Sequence, residues 1–126
     1  WHQDNFYFGT TSDQIISCGI YLQDADLDNG CLQVVPQSHL TGEIAEHQRA
    51  KGMHGSWAEI DVTQAMALPM SAGSVAVFSA NLLHGTNNNH SDRTRYSTAW
   101  HYIPGDLALE RFPRGEYGDR HIVRQE

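Results

Sequence analysis

The pair His2 and Asp4, in Trp1-His2-Gln3-Asp4, and the distant His84, in Leu82-Leu83-His84-Gly85-Thr86, constrain this chain most. For the three to act together, the fold must bring residue 84 back against residue 2. Two neutral imidazoles and one carboxylate on one face of a metal leave coordination positions open, a pattern that suits non-haem Fe(II). Arg95 lies eleven residues beyond His84. A guanidinium beside such a centre can grip a carboxylate through two parallel bonds. An HxD pair by itself is common in a chain with 8 histidines and 15 acidic residues. A histidine in a Leu-Leu-His-Gly turn more often serves only a loop hydrogen bond. The HxD pair, the long gap, His-Gly-Thr and the later arginine make a much rarer combination.

Further blocks join these residues. They are Asn29-Gly30-Cys31-Leu32-Gln33-Val34-Val35-Pro36-Gln37-Ser38-His39 and Ala72-Gly73-Ser74-Val75-Ala76-Val77-Phe78. In this order and spacing, from residue 1 to about residue 102, the chain resembles the phytanoyl-CoA dioxygenase family. The resemblance implies an all-β fold, the double-stranded β-helix or jelly roll shared with the cupins. It implies Fe(II), 2-oxoglutarate as co-substrate, O2, and hydroxylation of a small organic substrate with decarboxylation of 2-oxoglutarate to succinate. By position, His2, Asp4 and His84 match the iron ligands. Arg95 matches the arginine that grips the distal carboxylate of 2-oxoglutarate, and Thr86 a hydroxyl residue that assists it. Asp4 also speaks against halogenation, because halogenating relatives carry a small residue in place of the carboxylate.

This chain departs from the family pattern in two places. Gln37 stands where the family usually has glycine, which tolerates positive φ as glutamine does not. Ile20 occupies a place where some relatives carry tryptophan beside the co-substrate. Two other readings of the same residues stay open. One is a cupin-like metalloenzyme that does not use 2-oxoglutarate. The other is a non-catalytic jelly roll that binds a metal or ligand.

A chain of 126 residues with 40% hydrophobic residues supports one domain with a real core. It opens on a candidate metal ligand and is shorter than the family domain, so it reads as the C-terminal part of a larger jelly roll, with all of 1–126 in that partial domain. The formal charge of −7 argues against a nucleic-acid surface. No stretch is long and apolar enough to cross a membrane. Cys18 and Cys31 are too few for a disulfide scaffold and read as small buried hydrophobes, which fits a reduced, cytoplasmic setting. A small-molecule substrate is the expected partner, and a homo-oligomer is compatible with everything here.

Along the chain, Ile15 to Leu22 and Cys31 to Val35 read as strands around an acidic turn, a hairpin-like signal. Asp24, Asp26 and Asp28 alternate, but Asn29 and Val35 fall where a calcium loop needs glycine and glutamate, so the turn reads as solvated. Residues 40–66 change character and read as a lid-like excursion over the pocket, with Glu43 to Ala50 patterned for two helical turns. His54 and Trp57 are candidate substrate contacts there, although surface packing is the commoner role for such residues. Ser74 to Phe78 is an apolar run expected of a buried strand. Tyr96 to Tyr102 is the last strand. Its period of two puts Ser97, Ala99 and His101 on the Arg95 face, so His101 is a further candidate for the substrate pocket. Arg93 shares that face but sits at the loop edge. Residues 104–126 read as a C-terminal extension.

Overall fold

The computed structural model describes residues 1–49, 55–109 and 111. Its elements are a short helix α1 (Asp4–Phe8) and eight strands. The strands are β1 (Ile16–Tyr21), β2 (Leu32–Val34), β3 (His47–Arg49), β4 (Ser56–Ala58), β5 (Met66–Leu68), β6 (Val75–Ser79), β7 (His84–Thr86) and β8 (Ser97–Tyr102). They form small antiparallel sheets in the orders β6-β1-β8, β5-β2-β7 and β3-β4.

The main core lies between the two three-stranded sheets. Tyr21 and Ala76 of one meet Leu32 and Val34 of the other, with Ala25, Cys31 and Leu82 closing the cluster. Phe78, Leu68 and Met70 pack at its margin. A second cluster joins Ile15 and Ala80 to Leu109 from the chain's later part. Ile15 is fully buried, and burying such a side chain stabilises the fold by about 1.5–3 kcal/mol. β6, expected to be buried, is buried on one face only, because the alternation of the strand turns Ala76 inward and Val75 and Val77 outward. On that outer face Val77 and Trp100 lie exposed on either side of Cys18.

Two further expectations require correction. The strands around the acidic turn do not form a hairpin, because β1 and β2 belong to different sheets. The turn ends instead in a bridge: Ala25 and Met70 exchange main-chain bonds at 2.7 and 2.8 Å. Asn29 ties the loop from inside, accepting from the Asp26 N–H and donating to the Asp24 carbonyl. Gly30, at φ 84°, then passes so close to the Asn87 carbonyl that a Cβ would lie 2.6 Å from it. The carboxylates of Asp24 and Asp26 are engaged by main-chain N–H groups, as suits a turn.

The helix expected over Glu43 to Ala50 is extended chain that enters β3, with residue 50 outside the described residues. Its main-chain groups find partners in the Gln3 side chain rather than four residues away. The Gln3 amide donates to the Glu43 carbonyl and accepts from the Ala45 N–H. Conversely, a helix forms at Asp4–Phe8, where none was expected, and it ends on Gly9 at φ 66°. β5 was also not foreseen, because Met66-Ala67-Leu68 is too short to show a period.

Gln37 adopts the left-handed conformation itself, at φ 65° and ψ −2°, at the start of a 3-10 turn over Ser38–Thr41. That turn matters to the site, because the Ser38 hydroxyl accepts from the Leu83 N–H next to His84.

Candidate metal centre and co-substrate cavity

Two neighbouring pieces of backbone bring the candidate ligands together. The N-terminal arm pairs with the start of β7 as an isolated bridge at His2 and His84. Gly85 lets the arm approach, since a Cβ there would lie 3.3 Å from the Cα of Trp1. Asp4 follows two residues later, past the extended Gln3, at the start of α1. The His2 Nε2, Asp4 Oδ1 and His84 Nε2 atoms then face one another. Oδ1 is 3.4 Å from His2 and 3.7 Å from His84, and one ligand atom of each residue falls within 4.8 Å of the others.

The surroundings fix the chemical state of these atoms. The His84 Nδ1 donates to the Leu82 carbonyl at 2.9 Å, which leaves Nε2 as the lone-pair nitrogen facing Asp4. Burial pushes the His84 imidazole below its ordinary value, which favours the neutral ring that a metal requires. Burial alone would raise the Asp4 carboxyl. Contacts with His101 and His2, the field of His84 and the Ser17 hydroxyl outweigh it and hold the carboxyl far below the usual carboxylate range. An ionised carboxylate oxygen and a lone-pair nitrogen facing each other without a shared proton repel. A cation between them turns that arrangement into an attractive one. The donor set thus fits a divalent transition metal.

Beside these atoms opens a cavity of about 210 Å³ between the two main sheets. A water's share of liquid volume is roughly 30 Å³, so the space suits a small organic acid. Its walls include Ser17, Gly19 and Tyr21 of β1, Leu32 of β2, Phe78 of β6, Thr86 of β7, Arg95, and β8 from Ser97 to His101. Arg95 Nη1 donates to the Ser97 hydroxyl at 3.2 Å. Its Nε is buried with no hydrogen-bond partner among the described residues. A buried, unpartnered guanidinium N–H costs free energy unless an anion meets it. Arg93 is committed elsewhere, in an exposed 2.7 Å ion pair with Asp26.

The other residues singled out by sequence are placed as follows. Thr86 and His101 line the cavity. Ile20 does not; it alternates with the inward-facing Gly19 and Tyr21, and the buried aromatic at this level is Tyr21. Trp57 stands exposed on β4, away from the lining. His54 lies outside the described residues, as does most of 104–126; of that extension, Leu109 packs into the second core cluster. Cys31 is buried and Cys18 half-buried, and both thiols are free.

Sequence reasoning missed Ser17, Tyr21 and Gln3. Gln3 is 1% exposed, and its amide donates to the carbonyls of Glu43 and Asn81 at 2.9 and 2.8 Å. Its main-chain N–H donates to His47 Nε2 at 3.1 Å. The residue between two candidate ligands therefore staples their arm to two other segments. Its only sequence signal was an uncharged polar residue inside the HxD pair.

A family model, Phytanoyl-CoA dioxygenase, matches residues 1–97. The chain belongs to the phytanoyl-CoA dioxygenase family. That family lies within the Fe(II)/2-oxoglutarate-dependent oxygenases. A probable alpha-ketoglutarate-dependent hypophosphite dioxygenase from Stutzerimonas stutzeri is 29% identical over 127 residues, which cover 94% of this chain and 44% of that protein. The phytanoyl-CoA dioxygenase of Arabidopsis thaliana is 29% identical over 113 residues, 83% of this chain and 38% of its own. Among solved structures, EvdO2 from Micromonospora carbonacea var. aurantiaca complexed with 2-oxoglutarate is 25% identical with a TM-score of 0.69, over 91% of this chain and 48% of that one. The non-haem epimerase SnoN from nogalamycin biosynthesis is 25% identical with a TM-score of 0.58, over 81% and 36%. The chain thus spans less than half the length of these relatives. Among the described residues, no helix is long and apolar enough to cross a membrane.

Proposed function

We propose that this chain carries the metal and co-substrate sites of an Fe(II)- and 2-oxoglutarate-dependent dioxygenase that hydroxylates a small organic substrate. The observation that carries this reading is the convergence of His2 Nε2, Asp4 Oδ1 and His84 Nε2 at a cavity whose wall holds the unpartnered Arg95 Nε. In it, His2, Asp4 and His84 hold the iron, and Arg95 grips the far carboxylate of 2-oxoglutarate with Thr86 beside it. Iron, O2 and 2-oxoglutarate together supply the oxidising chemistry, with succinate as co-product. The two main sheets, packed face to face around the cavity, are read as part of a double-stranded β-helix.

The protein's own work is orientation and exclusion of water. The Leu82 carbonyl keeps the His84 lone pair aimed at the site. Phe78 packs edge-on against the His84 ring at 4.9 Å and dries that side. Residues 43–49 and 55–58 dock on the ligand arm: the Ala58 N–H donates to the Trp1 carbonyl, and Tyr7 bridges to Ser56. None of its described residues lines the cavity, so we read this segment as a brace on the ligand arm. The free thiols suit a reducing, cytoplasmic setting.

The test is anaerobic Fe(II) loading of the protein, followed by succinate release on adding O2, 2-oxoglutarate and candidate small substrates. The reading expects iron-dependent succinate in the parent and none in Asp4→Ala. Because a relative is an epimerase, the organic product is identified as well. An oxygen atom in the product supports hydroxylation, and inverted stereochemistry without oxygen overturns it. Undiminished iron binding in Asp4→Ala removes Asp4 from the site.

A further inference from the structure

The two oxygens of Asp4 have different surroundings. Oδ1 faces the imidazoles of His2 and His84. Oδ2 accepts from the Ser17 hydroxyl at 2.5 Å and lies 3.2 Å from His101 Nε2. Ser17 and His101 are direct partners in the β1–β8 ladder. Side chains of such a pair share a face and stand side by side, so the two donors reach the carboxylate together. Ser17 is 3% exposed. The His101 ring is braced edge-on by Phe8, with centroids 5.1 Å apart. An anionic oxygen selects the His101 tautomer with hydrogen on Nε2.

A carboxylate binds a metal through one oxygen or through both. A second oxygen would take a coordination position that the co-substrate and O2 need. Three protein ligands leave three positions of an octahedron, and four leave only two. We propose that Ser17 and His101 form a two-donor clamp that restricts Asp4 to one-oxygen coordination and so keeps a position on the metal free. This rests on the metal reading above. Both are positioning residues, acting through Asp4. The role differs from substrate contact, which the sequence suggested for His101.

Co(II) titration tests the clamp, because the visible absorption of Co(II) responds to coordination number and geometry. The protein is compared with Asp4→Ala, Ser17→Ala, His101→Leu and His101→Gln, with folding checked by circular dichroism. Loss of outer-shell partners typically costs 10–100-fold in metal affinity. Ser17→Ala and His101→Leu are expected to change Co(II) affinity about tenfold or more and to shift its spectrum towards the weaker visible absorption of a higher coordination number. His101→Gln, which keeps an N–H at the same reach, restores both. If Asp4→Ala abolishes binding while Ser17→Ala and His101→Leu match the parent in affinity and spectrum, the clamp is wrong and the metal site stands. If Gln fails as Leu does, His101 acts by packing and the clamp is overturned. If Asp4→Ala itself binds Co(II) like the parent, the metal reading falls and takes the clamp with it.

Discussion

His2 and His84 exchange both main-chain hydrogen bonds, at 2.9 and 3.0 Å, and their rings stand 4.2 Å apart between centroids. The spacing of the imidazoles is therefore set by a β-bridge, not by side-chain contacts. A backbone pair of this kind fixes both Cβ positions at once. The remaining freedom lies in the χ1 and χ2 rotations of each ring, and the Leu82 carbonyl restrains those of His84 through its Nδ1. Bracing of this kind would lower the ordering cost of binding a metal between the rings.

Arg95 and Arg93 make opposite commitments, and their variants should behave oppositely. Arg95 has an unpartnered buried Nε in the cavity wall. Charge-assisted hydrogen bonds to a carboxylate contribute roughly 1.5–3 kcal/mol. Arg95→Met is thus expected to raise the apparent 2-oxoglutarate constant about tenfold or more. Arg93→Met removes only an exposed ion pair with Asp26, typically worth about 0–1 kcal/mol, and should leave that constant unchanged. Isothermal titration of the metal-loaded protein with 2-oxoglutarate distinguishes them, and a larger effect from Arg93→Met would invalidate the assignment.

Gln3→Ala should weaken both the fold and the metal site. Removing the amide leaves the Glu43 and Asn81 carbonyls and the Ala45 N–H without their partner. A buried polar group left unsatisfied costs about 1–3 kcal/mol. The denaturation midpoint should fall by a corresponding amount, with the slope unchanged. Metal affinity should fall as well, since the same amide braces the arm that carries His2 and Asp4 against Asn81 near His84. An unchanged midpoint would mean that water replaces the amide and that the staple does not matter.

The main strands and the convergence of His2, Asp4 and His84 were legible because each leaves a direct trace in sequence. Val75 to Phe78 is an apolar run and does form a strand, although only one face of it is buried, and a period of two put Arg95 and His101 on one side. What was not legible is long-range satisfaction of polar groups. Glu43 to Ala50 has helical composition, yet Gln3 captures its main-chain groups from forty residues away, and local propensity yields to that tertiary partner. The hairpin reading failed for the same reason: Ala25 finds Met70, not a neighbour across the turn. Ser17 showed no signal at all, because its importance comes from facing His101 across a ladder whose register the sequence does not display.

The His47 imidazole gives the 43–49 segment a pH dependence of known sign. Its Nδ1 donates to the Ala45 carbonyl at 2.6 Å, and its Nε2 accepts from the Gln3 N–H at 3.1 Å. Only the neutral ring can do both. Burial, aided by nearby His2, pushes it below its ordinary value of 6.5 despite the Ala45 bond. Below that value the unfolded chain takes up a proton that the folded chain resists. Stability is therefore full above the unfolded value and is lost as pH falls through it towards the folded one. His84 is lowered as well and adds loss in the same direction, so the informative quantity is a difference. Thermal unfolding at about pH 7.5 and 5.5 should show a smaller acid-induced drop in His47→Phe than in the parent, although the variant starts from a lower Tm. Equal drops would place the sensitivity elsewhere.

Gln37→Gly should stabilise the protein. Gln37 sits at φ 65°, where a residue with a Cβ is strained by roughly 1–2 kcal/mol. Glycine removes that strain but makes the unfolded chain more flexible, which takes back about 0.4–1 kcal/mol. The first effect wins, and the expected net gain is roughly 0.5–1 kcal/mol. No side-chain hydrogen bond of Gln37 caps the turn, so the substitution has little else to lose. The Ser38 hydroxyl bond to the Leu83 N–H should persist, and metal affinity should stay the same or tighten slightly. A fall in the denaturation midpoint of Gln37→Gly would show that the glutamine side chain contributes something at this turn that outweighs its backbone strain.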